Sequence, residues 1–310
     1  MNTMRESLRD YLEMRRALGY KLRTPGASLV TFVGFMDEAQ HEYITVDVAK
    51  SWAELPTSVH PAQWERRLSY VRGFARYCVA MDPRTEVPPQ GVFPSAYTRP
   101  TPFLFTDEHI RRLLHAGTQL QGGSSFVGVS ICCLLGLLSV TGLRISEALG
   151  LTLDDVDLAA GTLLVRSSKF GKSRIVPLHE STIKVLTGYH RHRKRLLARR
   201  RVAHWFINIR GARMEYDHAL DTFQKLSQQI GLPSGLGKRR PHLHDLRHYF
   251  AIATLLRWYR DGQDIERRLP VLSAFLGHVE VRNTYWYLSA CPDLLGAAKD
   301  RLEKRWEQTP

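Results

Sequence analysis

The stretch "FVGVSICCLLGLLSVTGLRISEALGL", residues 126–151, opens with a long run of uncharged residues that ends at Leu143. A run of this length is a marginal candidate for a transmembrane helix. It also contains several glycine, serine and threonine residues, and it is the only run of its kind in the sequence. We therefore interpret it as a helix buried on all sides inside a globular domain.

A charged side chain follows directly after this buried helix. Gly142 breaks the helix, and Arg144 comes two residues later in the same apolar surroundings. A guanidinium group in such surroundings must be paired or must hold an anion. Glu147 is three residues further on and can reach Arg144 along a helix. A structural ion pair and an anion-binding site are both open interpretations of this motif.

Outward from this stretch, the apolar periodicity predicts a mainly α-helical protein in two units. Residues 1–82 form a small all-helical unit with a basic surface. Residues 83–102 contain six prolines and predict an extended linker, with the boundary near residue 98. Residues 103–310 form the second unit. The individual helices are predicted over 3–19, 28–39, 45–55, 60–81, 106–117, 125–140, 180–202, 217–230, 244–259, 264–275, 281–290 and 293–306.

Two runs of alternating apolar residues, "GTLLVRSS" and "SRIVPL", predict a β-hairpin in the second unit. They bracket "KFGK", in which Gly171 takes the turn and Lys169 and Lys172 stand at the tip. A lysine there can reach into a DNA groove as a donor or as a source of protons. Hairpin tips also carry charges simply because they are exposed to water.

Histidine and arginine cluster in "KRRPHLHDLRHYFA", where Pro241 ends a basic turn and a helix begins. His244 and Arg247 share one face near the N-terminus of this helix, which is a suitable place for a phosphate. The segment "HLHDLRH" also resembles zinc clusters. The aspartate follows the second histidine directly, however, and no further cluster with zinc spacing follows. We therefore expect no metal and no cofactor.

The segment "LGHVEVRNTYWYLSA", residues 276–290, carries two tyrosines after a helix break at Gly277. Tyr285 and Tyr287 are about 200° apart around a helix, so they cannot share a face. At most one of them can face a site formed with His278. The other tyrosine, together with Trp286, is left for packing.

The overall charge favours a polyanionic partner. The chain has 310 residues, a formal net charge of +14 and an isoelectric point of about 9.9, which favours nucleic acid over a membrane surface. A basic but ordinary soluble enzyme is the alternative. The charged N-terminus has no apolar signal-peptide core, and the four cysteines form no CxxC pair. We expect a cytoplasmic protein with reduced cysteines.

Two further segments bear on partners. The run "HRHRKRLLARRR", residues 190–201, and "GKRR", residues 237–240, contain no acidic residue and predict contacts with DNA phosphates, although charge runs are often solvated faces. The C-terminal segment carries one apolar stripe, formed by Leu295, Ala298, Leu302 and Trp306.

The order of these motifs is more specific than any one of them. An arginine in "TGLRISE", a lysine before a hairpin turn, HxxR, "LGH" and a tyrosine nine residues after that histidine follow one another. This order resembles the tyrosine recombinase (phage integrase) family, well over residues 103–295 and more loosely over 1–98. The resemblance implies an N-terminal all-helical core-binding domain and an α+β catalytic domain with a small sheet.

The resemblance also implies an activity and a set of site residues. The activity is site-specific DNA recombination by metal-independent transesterification, through a 3′-phosphotyrosine and a Holliday junction, as in transposition or integration of a mobile element. Tyr287 is then the nucleophile and Tyr285 packs or steadies its helix, while Lys172 is the rival of Lys169. The implied catalytic residues are Arg144, Lys169, His244, Arg247, His278 and Tyr287.

The expected partners are double-stranded DNA, further copies of the chain and accessory recombination proteins. The family assembles as a tetramer on DNA, and its C-terminal helix docks on a neighbouring subunit. The alternatives are DNA relaxation like that of a type IB topoisomerase, and a catalytically silent DNA-binding accessory protein. Packing of the C-terminal stripe on its own domain is the alternative to docking in trans.

Overall fold

The protein consists of two compact units, residues 1–100 and residues 101–310. The computed structural model describes residues 3–94, 102–120, 125–166, 173–233, 240–278, 280–290, 294–296, 299 and 303. Each unit has a hydrophobic core of its own. Within the described residues the protein is mostly helical with one small antiparallel sheet, so the predicted fold class is confirmed.

The N-terminal unit contains four helices: α1 (Met4–Ala17), α2 (Arg23–Glu38), α3 (Val46–Glu54) and α4 (Pro61–Cys78). Local signals set where they begin. Thr3 and Glu6 form a capping box on α1, and the side chain of Thr45 caps α3. Large side chains fill the core between these helices, among them Trp52 and Phe74. The predicted helices match these bounds closely, and α2 begins earlier than expected.

The first part of the predicted linker packs on the N-terminal unit instead of leaving it. Buried Arg72 on α4 donates to the carbonyl oxygens of Pro88 (2.7 Å) and Pro89 (2.6 Å) and pairs with Glu65. Phe93 is buried in the same core. Prolines exclude regular helix, but the carbonyls of an extended segment remain free to accept hydrogen bonds from a buried guanidinium. Residues 95–101 lie outside the described part of the chain.

The second unit begins with α5 (Asp107–Thr118), α6 (Phe126–Thr141) and α7 (Ile145–Gly150). Helix α6 is formed by the uncharged, apolar run that precedes Arg144, and it contacts α5, α8 and α10. No helix in the described part of the chain is both long enough and apolar enough to span a membrane. The remaining helices are α8 (Glu180–Leu197), α9 (Tyr216–Gln229), α10 (Asp245–Arg260), α11 (Ile265–Leu276) and α12 (Arg282–Ala290).

The sheet lies between α7 and α8 and has the strand order β1-β2-β3, all antiparallel. Its strands are β1 (Val156–Asp157), β2 (Thr162–Val165) and β3 (Arg174–Pro177). Leu163 pairs with Val176, and both are buried, whereas Ile175 faces solvent. The alternation that predicted a hairpin is thus present in β2 and β3. The hairpin tip, residues 167–172 with Lys169 and Lys172, lies outside the described residues.

Candidate active site

The C-terminal end of α11 gathers three arginines from three different elements. The carbonyl oxygen of Phe275 accepts from Arg174 (2.8 Å), that of Leu276 from Arg247 (2.7 Å), and that of Gly277 from Arg144 (3.2 Å). Carbonyls in the last turn of a helix lack intrahelical partners and carry partial negative charge. The end of α11 therefore offsets the mutual repulsion of these guanidinium groups.

Arg144 precedes α7 and is held from two sides. Its Nη1 donates to Oε1 of Glu147 at 2.7 Å, and its backbone N–H donates to Oε2 at 3.0 Å. Burial of Glu147 would raise the pKa of this carboxyl, but hydrogen bonds and charge from Arg174 and Arg144 outweigh burial and lower the pKa to about 2. The ion pair that the sequence suggested is present, and the Arg144 side chain stays 23% exposed.

Arg247 on α10 connects the ends of two helices. Its Nη1 donates to the carbonyl oxygen of Gly142 (2.7 Å), just after α6, and its Nη2 donates to Leu276 at the end of α11. Burial lowers the pKa of Arg247 to about 10, and the charge of Arg144 adds to the effect. The group therefore remains charged at neutral pH although it is buried.

His244 stands at the N-cap of α10, is exposed and lies against a second histidine. The rings of His244 and His248 are 4.8 Å apart in an edge-to-face arrangement. Asp245 is buried and accepts a hydrogen bond from the backbone N–H of His242 at 2.8 Å. Among the described residues, no three His, Cys, Asp or Glu side chains are arranged to hold a metal ion.

Of the two tyrosines on α12, Tyr287 lies next to the predicted site residues. Its ring stacks on that of His278 with centroids 6.3 Å apart, and its Oη is 3.2 Å from Nδ1 of His248. Tyr287 is 1% exposed, whereas Tyr285 is 49% exposed. Tyr285 is about half exposed to solvent, and the expectation that it packs or steadies its helix stays a prediction.

His278 is fixed by the same helix that carries Tyr287. Its Nδ1 lies 2.8 Å from Oγ1 of Thr284, which is fully buried near the start of α12. The turn that presents His278 begins at Gly277, whose φ of +68° favours glycine. The structure thus brings together Arg144, Arg247, His278 and Tyr287, with His244 joined to them through His248. Lys169 lies outside the described residues.

Residues 104–292 match the model of the phage integrase family. The chain belongs to this family. Its members are tyrosine recombinases, and the chain is accordingly a DNA strand-transferring site-specific recombinase.

Relatives extend the similarity to the whole length of this recombinase. It is 44% identical to a putative integrase/recombinase, y4rB, of Sinorhizobium fredii, over 99% of both chains. It is 32% identical to the tyrosine recombinase XerD of Mycobacterium tuberculosis, over 72% of this chain and 68% of the relative. Both N-terminal and C-terminal units are therefore shared with y4rB.

Solved structures show the same fold at lower identity. The Tn1549 transposon integrase, in complex with transposon right-end DNA, matches with a TM-score of 0.65 and 17% identity, over 96% of this chain and 99% of that one. The XerH recombinase, in a post-cleavage complex with difH DNA, matches with a TM-score of 0.62 and 19% identity, over 90% and 78%.

Sequence reasoning missed two residues of this recombinase's site. Arg174 occurs in a run that was analysed only for its strand pattern, and nothing local shows that it reaches Glu147 and α11. His248 was weighed only as a metal ligand, whereas its ring meets Tyr287 from a distant helix. Both contacts arise from tertiary structure, and the only sequence signal was a charged or titratable side chain in an apolar setting.

The predicted DNA-contacting run at residues 190–201 is less uniform than expected. Arg193 is buried and donates to the carbonyl oxygens of Val202 and His204, so it supports the fold from inside. Helix α8 ends at Leu197, and Ala198 has a positive φ of 50°. The exposed cations of the run are Arg191, Lys194, Arg195, Arg199, Arg200 and Arg201.

Proposed function

We propose that this recombinase cleaves and rejoins DNA through a covalent link between Tyr287 and a 3′-phosphate. The observation that carries the proposal is the position of Tyr287 against His278 and beside the arginines at the end of α11, while Tyr285 faces solvent. A phosphodiester is an anion, and the transition state for its substitution concentrates charge on the non-bridging oxygens. Arg144 and Arg247 neutralise this charge without a metal.

The chemical step exchanges one phosphodiester for another. The phenol of Tyr287 loses its proton to a base, for which His244 is the candidate, and its oxygen attacks phosphorus. The bond from phosphorus to the 5′ oxygen breaks, and that oxygen takes a proton from Lys169 and leaves as a 5′-hydroxyl. His278 donates to a phosphate oxygen. Attack by the 5′-hydroxyl of another strand reverses the step without ATP and generates a Holliday junction.

The side chain of Tyr287 is buried, and this burial sets a requirement on the mechanism. A buried phenol 3.2 Å from His248 cannot reach a phosphate in solution. We propose that DNA binding shifts α12 and exposes the phenol of Tyr287 to a phosphate held by the guanidinium groups. The shift exchanges the contact with His248 for contacts with the bound phosphate.

Double-stranded DNA is the proposed partner. The net charge of +14 and the exposed cations of residues 190–201 favour a polyanion. Several structures with this fold are themselves DNA complexes, including a λ integrase dimer bound to a core site. We further propose a tetramer on DNA in which the C-terminal segment docks on a neighbouring subunit, in a role connected with a mobile element.

The experiment uses nicked duplexes carrying the ends of the element that encodes the gene. The wild type, Tyr287→Phe and Tyr285→Phe proteins are incubated with these duplexes in the presence of a chelator. Denaturing gels then report the covalent protein–DNA product. We expect it with the wild type and with Tyr285→Phe, the matched control, and not with Tyr287→Phe.

Other outcomes of this experiment would contradict the proposal. Loss of the product only in Tyr285→Phe would assign the nucleophile to the other tyrosine. A mobility shift with no covalent product from any protein would favour a DNA-binding accessory role. Relaxation of plasmids that carry a single site would favour a topoisomerase.

A further inference from the structure

Arg174, the first residue of β3, is an almost buried arginine with a large set of contacts. Its Nη1 and Nη2 donate to Oε1 (3.1 Å) and Oε2 (2.8 Å) of Glu147, and its Nε donates to the carbonyl oxygen of Phe275 (2.8 Å). Its side chain is 12% exposed. Arg174 therefore joins β3 to α7 and to the end of α11, two elements that present Arg144 and His278.

Glu147 is shared between two arginines in a specific way. Its Oε1 accepts from Nη1 of both Arg144 and Arg174, whereas its Oε2 accepts from the Arg144 backbone N–H and from Nη2 of Arg174. Arg144 thus uses only one of its terminal nitrogens on the carboxylate. Its other terminal nitrogen, Nη2, reaches the carbonyl oxygen of Gly277.

Removal of Arg174 would change how Arg144 distributes its hydrogen bonds between Glu147 and Gly277. A carboxylate that lacks one arginine favours a two-point, parallel pairing with the remaining guanidinium. Arg144 would then turn both terminal nitrogens towards Glu147 and leave Gly277. It would lose the orientation in which its partly exposed guanidinium can meet a phosphate.

We propose that Arg174 is a positioning residue that fixes the guanidinium of Arg144 for the scissile phosphate, through the shared carboxylate of Glu147. This inference rests on the proposed function, in which Arg144 neutralises the phosphate. Arg174 itself touches no reacting atom. A lysine in this place would keep the charge but not the planar fork, which donates from three separate nitrogens to the two oxygens of Glu147 and to Phe275.

The turn before His278 is fitted to this side chain. A Cβ at Gly277 would lie 2.8 Å from Nη1 and 3.0 Å from Cζ of Arg174. The guanidinium is therefore packed closely against the turn. This close fit is independent of the ion pair with Glu147.

The test compares two linkages at the scissile position, the natural phosphate and a neutral methylphosphonate. The methylphosphonate lacks the anionic oxygen that Arg144 neutralises, so the orientation of Arg144 should matter little for its cleavage. The rate of cleavage of the labelled strand is measured for full-length wild type, Arg174→Gln, Arg174→Lys and Arg193→Gln. Arg193 is the matched control, since it is a buried arginine that binds backbone carbonyls away from the site.

We expect Arg174→Gln to cleave the phosphate about 10- to 100-fold more slowly than the wild type, as for a misplaced catalytic group. On methylphosphonate the ratio of wild type to variant should fall towards unity. Arg174→Lys should show a smaller reduction in the cleavage rate, with the same dependence on linkage. This variant is used for the test if Arg174→Gln does not fold. Arg193→Gln should show the same ratio on both linkages.

Equal ratios for the Arg174 variants on the two linkages would overturn the inference, because Arg174 would then support only the fold. The inference would also be overturned if the Arg174 variants cleaved the natural phosphate as fast as the wild type does. Absence of cleavage of natural DNA by the wild type would instead contradict the proposed function itself, and the two failures are thereby distinguished.

Discussion

The carboxylate of Glu147 is a single residue on which two arginines of the site depend. Its side chain is 6% exposed, and its pKa of about 2 lies below the ordinary value of 4.5. The ionised form therefore stabilises the folded state at pH values above 4.5. This contribution is lost as the pH falls from 4.5 towards 2.

We predict that Glu147→Gln lowers the free energy of unfolding most at neutral pH. The gap between wild type and variant should narrow by roughly 3 kcal/mol as the pH is lowered from 7 to 2, since one pKa unit corresponds to about 1.4 kcal/mol. Urea titrations of both proteins at several pH values measure this gap. A gap that stays constant with pH would show that the ionisation of Glu147 does not contribute to stability.

At the residue scale, local sequence could predict candidates but not their partners. Arg144, Arg247 and His278 were singled out from spacing and residue type, whereas the choice of Tyr287 over Tyr285 came from the family resemblance. The structure places these four residues near one another. The contacts from Arg174 to Glu147 and from His248 to Tyr287 join residues 27 and 39 positions apart. No local pattern encodes such contacts, because they depend on how β3, α10 and α12 pack.

At the element scale, the end of α11 organises the site. The last carbonyls of this helix bind arginines from α7, β3 and α10, and Gly277 turns the chain towards His278. Gly277 and Gly262 have nearly the same φ, +68° and +67°, but a Cβ added at Gly277 would lie against the guanidinium of Arg174, whereas one added at Gly262 would have no atom within 4 Å. A substitution at Gly262 therefore tests backbone strain alone, whereas a substitution at Gly277 tests backbone strain together with close packing.

We predict that Gly277→Ala destabilises the protein more than Gly262→Ala does. Gly262→Ala, the control, should lower the free energy of unfolding by about 1–2 kcal/mol, because alanine is strained in the left-handed backbone conformation. At Gly277 the new methyl group must also displace Arg174, so the variant should unfold at a lower urea concentration and cleave DNA more slowly than the control. Equal urea midpoints and equal cleavage rates for the two variants would contradict this account of the turn.

The element boundaries were largely accessible from sequence. The helices predicted over 3–19, 45–55 and 106–117 begin in the structure directly after the capping residues Thr3, Thr45 and Thr106, and the helix predicted over 125–140 matches α6 nearly in full. The exposure of Tyr285 could not be predicted from the sequence. Periodicity shows that two tyrosines differ in direction, but it does not show which direction other helices cover.

At the scale of the whole molecule, the chain forms two units, residues 1–100 and 101–310, and residues 83–94 of the predicted linker belong to the first of them. Composition indicated a linker from residue 83 onward. The structure instead uses Arg72 and Phe93 to bind residues up to 94 to the N-terminal unit. The contacts of buried Arg72 with Pro88 and Pro89 are tertiary contacts, which composition alone cannot reveal.

We predict that residues 1–94, expressed alone, are more stable than residues 1–82. The shorter fragment loses the burial of Phe93, worth about 2 kcal/mol, and leaves Arg72 without its carbonyl acceptors. Urea unfolding followed by tryptophan fluorescence compares the two fragments. Fragments of equal stability would mean that residues 83–94 contribute nothing to the N-terminal unit.

The central claim is that Tyr287 forms the bond to DNA. The most direct measurement digests the covalent product with nuclease and trypsin and sequences the modified peptide by tandem mass spectrometry. Cleavage after Arg282 and Lys299 gives a peptide, residues 283–299, that holds both tyrosines of α12. The account predicts a nucleotide on Tyr287. A nucleotide on Tyr285, or on any residue outside this peptide, would contradict it.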